Sequence, residues 1–171
     1  DLIDAVLEEA AKVCENQLFP INRGGDEEGC RYHQGGEVTT PSGFRECYRA
    51  YAEAGWIGLS SDPQYGGQGL PTAISTLLEE MVCSSNIAFG TYVGLSRGAY
   101  RAIAAFGNDT LKTRYLPKLT SGEWSGTMCL TESQCGTDLG LLRTRAEPHA
   151  DGSYRVTGNK IFISAGEHDL T

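Results

Sequence analysis

The hydrophobic pattern changes its period near residue 122, and this change constrains the fold more than any other feature. Residues 2–121 carry apolar side chains at helical spacing, separated by connections rich in Gly and Pro. After Gly122 the apolar residues alternate, and Asp151-Gly152 and Gly158-Asn159 are typical turn dipeptides between strands. We therefore predict an α+β chain with a helical domain at 1–122 and a partial antiparallel β-domain at 123–171. About fifty residues of strand are too few to stand alone, so we interpret the chain as the front part of a longer protein.

Local signals divide the two parts into elements. Each predicted helix has an apolar stripe and is bounded by a capping residue, a proline or a glycine. The five predicted helices are 2–18 (closed by Pro20), a helix from Thr40-Pro41 to Gly55, a helix from Pro71 or Thr72, Asn86–Phe106, and Asp109–Leu116 (ended by Pro117). The predicted strands are 124–131, 140–147, 153–157 and 160–164, and the polar connection 22–39 has room for a short hairpin.

Charge and cysteine content exclude several classes of function. The 171 residues carry a net charge of −8, which disfavours a nucleic-acid backbone or an anionic membrane as partner. No apolar run approaches the ~20 residues of a membrane-spanning helix, and Asp1–Leu7 does not resemble a secretory signal. The six cysteines form no Cys-x-x-Cys pair, which favours buried, reduced thiols in the cytosol. Cys30 and His33 lack a second pair of ligands, so we expect no metal site.

Two segments in the β-part carry residue types suited to a ligand. Residues 128–139 are predicted as a strand running into a polar turn that offers hydroxyls and backbone N–H groups. In the predicted strand 160–164, Phe162 and Ser164 fall on one face, which suits a flat heteroaromatic ring with a polar rim. From the residues alone, a buried Phe and a surface Ser remain the simpler interpretation. No GxGxxG or Walker motif is present, and neither Ser125 nor His168 lies in a hydrolase motif.

Longer motifs resemble the acyl-CoA dehydrogenase family. They are Gly55-Trp56-Ile57-Gly58-Leu59 with Asp62–Pro71, Met128–Leu139 with its Thr-Glu and Gly-Thr-Asp pairs, Gly158–Ser164, and more weakly Arg114–Pro117 with Ser121-Gly122-Glu123. The resemblance covers essentially the whole chain. Asn22-Arg23, Gly25–Cys30, Val38–Pro41 and Ala165–Asp169 are similar to the 3-methylmercaptopropionyl-CoA dehydrogenase subgroup.

The resemblance implies a flavoenzyme of three parts: an N-terminal helical domain, a β-barrel-like middle domain and a C-terminal four-helix bundle. Such enzymes use FAD to oxidise the Cα–Cβ bond of an acyl-CoA to the enoyl-CoA. They pass electrons to an electron-transferring flavoprotein and form homodimers or homotetramers, here expected in a bacterial cytoplasm. The bundle, which supplies the glutamate base, is absent from the chain, so no residue in 1–171 is assigned a catalytic role and this fragment alone is expected to be inactive.

The resemblance also implies contacts for individual residues. Met128, Leu130 and Thr131 are expected along the isoalloxazine ring, with Phe162 in the place of a usual Trp and Ser164 in that of a Thr. Gly136 would allow close approach, and Thr137 would meet the flavin phosphate or the CoA portion of the substrate. The fourth predicted helix, near 92–98, would line the acyl pocket. Ser133-Gln134-Cys135 replaces a usual Pro-x-Ala, which implies a less rigid turn.

Two alternatives remain open at this stage. One is a flavoenzyme of the acyl-CoA oxidase type that passes electrons to oxygen. The other is a binding or assembly module that keeps the fold without redox turnover. A glutamate base in the downstream sequence would distinguish the dehydrogenase from the module, and oxygen consumption would distinguish it from the oxidase.

Overall fold

The computed structural model describes all residues, Asp1–Thr171, and confirms the α+β class. Its elements in chain order are α1 (Leu2–Val13), a π-helical turn (Cys14–Leu18), α2 (Phe19–Glu28), β1 (Arg31–Tyr32), β2 (Val38–Thr39), α3 (Phe44–Glu53), a 3₁₀ turn (Pro63–Tyr65), α4 (Thr72–Ser85), α5 (Ile87–Phe106), α6 (Asp109–Ser121), a 3₁₀ turn (Leu139–Leu141), β3 (Arg145–Pro148) and β4 (Tyr154–Thr157). No helix combines the length and the apolar character that crossing a membrane requires.

The chain forms two compact units. The helical unit contains residues 1–127 and 165–171, and the β unit contains residues 128–164. The assignment of 1–122 to a helical domain and of 123–171 to a partial β-domain stays a prediction.

The core of the helical unit surrounds Phe89, which is fully buried in α5. Three aromatic rings of α3 contact it: Phe44, Tyr48 and Tyr51, with ring centroids 6.2, 6.4 and 5.5 Å from that of Phe89. Tilted and edge-on rings at such distances attract each other beyond the gain from buried area. Burial raises the pKa of Tyr48 to about 12, so its hydroxyl stays neutral and donates to the carbonyl of Gly122.

The start of the helix α5 follows the sequence prediction. The Asn86 side chain accepts a hydrogen bond from the Phe89 N–H at 3.0 Å and donates to the Leu18 carbonyl. The buried amide of Asn86 therefore caps α5 and also provides a hydrogen-bond donor for the last carbonyl of the π-helical turn. The predicted beginning of α4 at Thr72 is also confirmed.

Three predicted helix boundaries are wrong. Pro20 lies in the first turn of α2, where its missing N–H costs nothing, so the helix continues to Glu28. Thr40 does not cap α3, because its N–H and hydroxyl both donate to Asp169, and α3 begins at Phe44 after Gly43 in a left-handed conformation. Pro117 lies inside α6, whose last turn is retained by the burial of Leu119 and Thr120.

Both sheets are two-stranded antiparallel hairpins. In the helical unit, Arg31 pairs with Thr39 and Tyr32 with Val38, so the connection does hold a short hairpin. Its predicted start at residue 22 is wrong, because residues 22–28 belong to α2. In the β unit, β3 pairs with β4 around the predicted Asp151-Gly152 turn, with Arg145 opposite Thr157. The predicted strands at 124–131 and 160–164 are not formed, and that at 140–147 is shortened to β3. A strand requires a hydrogen-bonded partner, and these segments have only isolated backbone bonds within the chain.

Candidate functional site

The two segments that the sequence analysis singled out lie side by side in the β unit. The Ile161 N–H donates to the Thr131 carbonyl at 2.9 Å, and the Lys160 ammonium donates to the Leu130 carbonyl at 2.9 Å. Residues 130–131 and 160–161 are therefore joined directly, although neither segment is a regular strand.

The conformation at Phe162 differs from the prediction. Its φ angle is +55°, in the left-handed region, so the alternation that placed Phe162 and Ser164 on one face does not apply. This conformation costs a non-glycine residue about 1–2 kcal/mol, and such outliers occur more often at functional sites. The side chain is 86% exposed, so the β unit presents the ring instead of burying it.

The polar turn brings Thr131 next to Gly136. The Glu132 N–H donates to the Cys135 carbonyl at 2.8 Å, and the Cys135 N–H donates back to the Glu132 carbonyl at 3.1 Å. A Cβ on Gly136 would lie 3.5 Å from the Thr131 methyl and 3.8 Å from its hydroxyl. The turn thus places the Thr131 side chain beside Gly136, which has no side chain of its own.

The remaining site residues on either side of this turn are accessible. Met128 is 59% exposed, Thr137 is exposed, and Leu130 is half-buried. Ser164 is exposed and lies at the end of the β unit. Leu130 and Thr131 are bonded to residues 160–161, and the turn 132–135 brings Gly136 next to Thr131. These three residues therefore form one cluster.

Glu132 is the residue whose importance the sequence analysis missed. Its carboxylate is 4% exposed and receives four hydrogen bonds, which come from the Lys160 ammonium, the Gln134 amide and the backbone N–H groups of Arg143 and Thr144. The bond from Lys160 and then those from the backbone hold the pKa of Glu132 far below its ordinary range. Glu132 is therefore ionised at neutral pH and serves as an anchor for the turn rather than as a proton acceptor. The only sequence signals were its place in the Thr-Glu pair and that of Lys160 in the Gly-x-Lys motif.

Gln134 gives the turn more order than its sequence suggests. Its amide donates to Glu132 and, at 3.2 Å, to the Leu141 carbonyl. Ser133-Gln134-Cys135 therefore compensates for the missing proline with side-chain hydrogen bonds.

A groove beside α5 lies in the region assigned to the acyl pocket. It has a volume of about 690 Å³ and lies between the end of α2 and the first turns of α5. At its wall, the Cys30 thiol lies 3.7 Å from the Tyr92 hydroxyl. Burial and then this thiol raise the pKa of Tyr92, which keeps the phenol neutral. Farther along α5, a Cβ on Gly98 would meet nothing within 4 Å.

Ser125 and His168 form a pair that the sequence did not connect. The Ser125 hydroxyl lies 3.0 Å from His168 Nε2, but the Leu170 N–H donates to His168 Nδ1. Since Nδ1 is an acceptor, the proton of the neutral ring is on Nε2 and is donated to Ser125. The neighbouring Asp169 is bonded to Thr40 instead of the imidazole. His168 therefore cannot act as the base of a hydrolase triad in this arrangement.

No group of three or more His, Cys, Asp or Glu side chains forms a metal site. All six cysteines are free thiols, but only Cys14 and Cys135 are buried, so the prediction of buried cysteines is wrong for the other four. His33 instead lies 2.8 Å from the Thr39 hydroxyl through its Nε2 atom.

Comparisons with known proteins agree with the family resemblance that the sequence motifs indicate. Residues 3–123 match the family model described as "Acyl-CoA dehydrogenase, N-terminal domain". The chain therefore belongs to the acyl-CoA dehydrogenase family, and residues 3–123 are the part that matches the model of the N-terminal domain.

Individual relatives extend the match beyond residue 123. A 3-methylmercaptopropionyl-CoA dehydrogenase of Ruegeria pomeroyi is 42% identical over 167 residues, which cover 98% of this chain and 28% of that protein. Butyryl-CoA dehydrogenase from Megasphaera elsdenii has a solved structure that matches with a TM-score of 0.75 and 25% identity, over 97% of this chain and 41% of that one. A chain of a solved structure described as "Electron transferring flavoprotein of Acidaminococcus fermentans: Towards a mechanism of flavin-based electron bifurcation" matches with a TM-score of 0.78 and 25% identity, over 96% of this chain and 40% of that one. The chain thus spans between 28% and 41% of the length of these relatives.

Proposed function

We propose that this chain is the front part of an FAD-dependent acyl-CoA dehydrogenase. The reaction is oxidation of the Cα–Cβ bond of a short or medium acyl-CoA, such as 3-methylmercaptopropionyl-CoA, to the enoyl-CoA. The observation that carries the proposal is the junction of residues 130–131 with 160–161, because it joins the two motifs assigned to the flavin. The similarity to the Ruegeria pomeroyi enzyme supports the acyl group.

The residues of the β unit fit one wall of a flavin site. Phe162 offers an exposed aromatic ring for the face of a planar ligand, and Met128 offers exposed apolar surface. The Thr131 hydroxyl offers a donor for the polar edge of the ligand, and Gly136 leaves space for close approach. Leu130 and Ser164 complete the proposed set. The Glu132 carboxylate is paired with the Lys160 ammonium at 2.8 Å, and this opposite charge reduces its repulsion toward the ligand.

When bound, FAD supplies the acceptor for the hydride that leaves Cβ. The residues of this chain bind and orient the flavin ring and the acyl-CoA. Thr131 donates to the polar rim, where donors favour the negative charge of the reduced ring. Phe162 covers a face of the ring and excludes water from it. Thr137 binds phosphate or the CoA portion of the substrate, and the α5 region from Tyr92 to Gly98 borders the acyl chain.

The base that removes the α-proton belongs, in this proposal, to a C-terminal helical bundle outside these 171 residues. Residues 123–171 would be the first part of a β-barrel-like middle domain that continues beyond this chain. The fragment alone should therefore not turn over substrate.

The proposed partners follow from the same family. Electrons would leave through an electron-transferring flavoprotein, and the intact protein would be a homodimer or homotetramer in the bacterial cytoplasm. The match to a solved structure described as an electron transferring flavoprotein of Acidaminococcus fermentans supports the electron acceptor, and the bacterial source of the similar enzyme supports a bacterial origin.

Reduction of the intact polypeptide by its substrate tests the proposal. The purified protein should be yellow and should bleach anaerobically with 3-methylmercaptopropionyl-CoA or butyryl-CoA. Oxygen consumption with acyl-CoA would indicate an oxidase instead. Colourless protein that does not take up added FAD would contradict the dehydrogenase and favour a non-catalytic module.

A further inference from the structure

We infer that Glu132 and Lys160 are positioning residues for the flavin wall: they hold residues 130–131 against residues 160–162. The inference rests on the proposed function for the identity of the ligand. Its structural basis lies entirely within the β unit.

The carboxylate of Glu132 has no capacity left for a ligand. It is nearly inaccessible, and each oxygen already accepts two hydrogen bonds, Oε1 from Lys160 and the Thr144 N–H and Oε2 from Gln134 and the Arg143 N–H. An ionised carboxylate offers about four acceptor positions, so this one is saturated. Glu132 can therefore affect a ligand only through the segments that it joins.

Lys160 connects Glu132 to the ligand-facing segment. Its ammonium donates to Glu132 Oε1 at 2.8 Å and to the Leu130 carbonyl at 2.9 Å, and only 19% of its side chain is exposed. The next residue, Ile161, donates its N–H to Thr131. Lys160 and Ile161 thus bond to three consecutive residues, 130, 131 and 132, and fix the register of the two segments.

The register matters because Phe162 follows immediately. Its left-handed backbone is an unfavourable conformation that surrounding contacts must maintain. The bond between Ile161 and Thr131 is the nearest such contact on the N-terminal side. If the Lys160 bonds are lost, we expect Phe162 and Thr131 to change position relative to each other.

The substitution Lys160→Met tests the inference in the intact polypeptide, because methionine keeps an unbranched apolar side chain and removes all three donors. Lys160→Arg is the conservative variant, since it retains a charge and several donors. Lys12→Met is the matched control, because Lys12 forms an exposed ion pair with Glu9. Three properties are measured for each: FAD affinity, the shape of the flavin's visible absorption band, and exchange of the Ile161 amide hydrogen.

We expect Lys160→Met to weaken FAD binding about tenfold or more, to alter the absorption band and to accelerate Ile161 exchange. Lys160→Arg should restore most of the band shape, and Lys12→Met should change none of the three. A lower melting temperature with unchanged affinity and band shape would show a purely structural pair and overturn the inference. Equal FAD affinity of the wild-type and Lys160→Met proteins would overturn this inference alone. Wild-type protein that binds no FAD would instead contradict the proposed function.

Discussion

Glu132 and Lys160 lie 28 residues apart in the sequence, and their side chains meet at 2.8 Å where the polar turn contacts the segment before Phe162. The contact joins two family motifs that the sequence alone shows only as separate stretches. It adds a second connection within the β unit, outside the hairpin of β3 and β4.

Acid should weaken the β unit through Glu132. Because the pKa of Glu132 is lower in the folded chain than in the unfolded chain, its ionised form contributes stability above the ordinary glutamate pKa of about 4.3. This contribution is lost as the pH falls from that value through the folded pKa. We expect Ile161 amide exchange, corrected for its intrinsic pH dependence, to lose protection below about pH 4 in the wild type.

The control for this titration is Glu132→Gln, which cannot ionise. Its Ile161 amide should be less protected at neutral pH and should respond less to acid. If the wild type and the variant show the same acid dependence, another carboxylate is responsible.

The two asparagine caps should differ in their contribution to stability. Asn86 is buried and bonds both to the Phe89 N–H and to the Leu18 carbonyl, whereas Asn108 caps α6 through an exposed bond to the Leu111 N–H. Asn108→Ala should cost about 1 kcal/mol of unfolding free energy. Asn86→Ala should cost about 2–4 kcal/mol, because it also leaves buried backbone groups unpaired. Denaturant unfolding of the two variants measures the difference, and equal values would contradict the dual role of Asn86.

Two glycines of α5 should respond oppositely to alanine. A Cβ on Gly90 would lie 2.9 Å from the Cys83 sulfur of α4, so the Cys83 side chain would have to leave its packed position, whereas a Cβ on Gly98 would meet open space. Gly98→Ala should therefore stabilise the helical unit by about 0.5–1 kcal/mol through helix propensity, and Gly90→Ala should destabilise it by about 1–3 kcal/mol. Melting temperatures give the signs directly, and stabilisation by both variants would contradict the close packing of α4 and α5.

The helices were largely predictable because their signals are local. The apolar stripe and the Asn86 cap lie within a few residues of each other, so α5 follows from the sequence alone. Pro20, Thr40 and Pro117 were misread because tertiary contacts, such as the bonds from Thr40 to Asp169, outweighed a local preference.

The site was only partly predictable, because its geometry depends on distant contacts. The motifs identified Thr131 and Phe162, and the structure brings their segments together as expected. The left-handed conformation of Phe162 and the convergence of Gln134, Arg143, Thr144 and Lys160 on Glu132 have no local signal. The alternation of apolar residues predicted strands at 124–131 and 160–164. A strand forms only where a neighbouring strand provides a series of backbone hydrogen bonds.

FAD affinity of two neighbouring variants of the intact polypeptide tests the central claim, that residues 131 and 160–162 form a flavin wall. Thr131→Val keeps the shape of the side chain and removes the hydroxyl, and Cys129→Ser is a conservative change at an exposed position two residues away. The account predicts about tenfold weaker binding for Thr131→Val, as expected for one lost hydrogen bond to a charged or polar edge, and wild-type binding for Cys129→Ser. Equal FAD affinity of the two variants would contradict it.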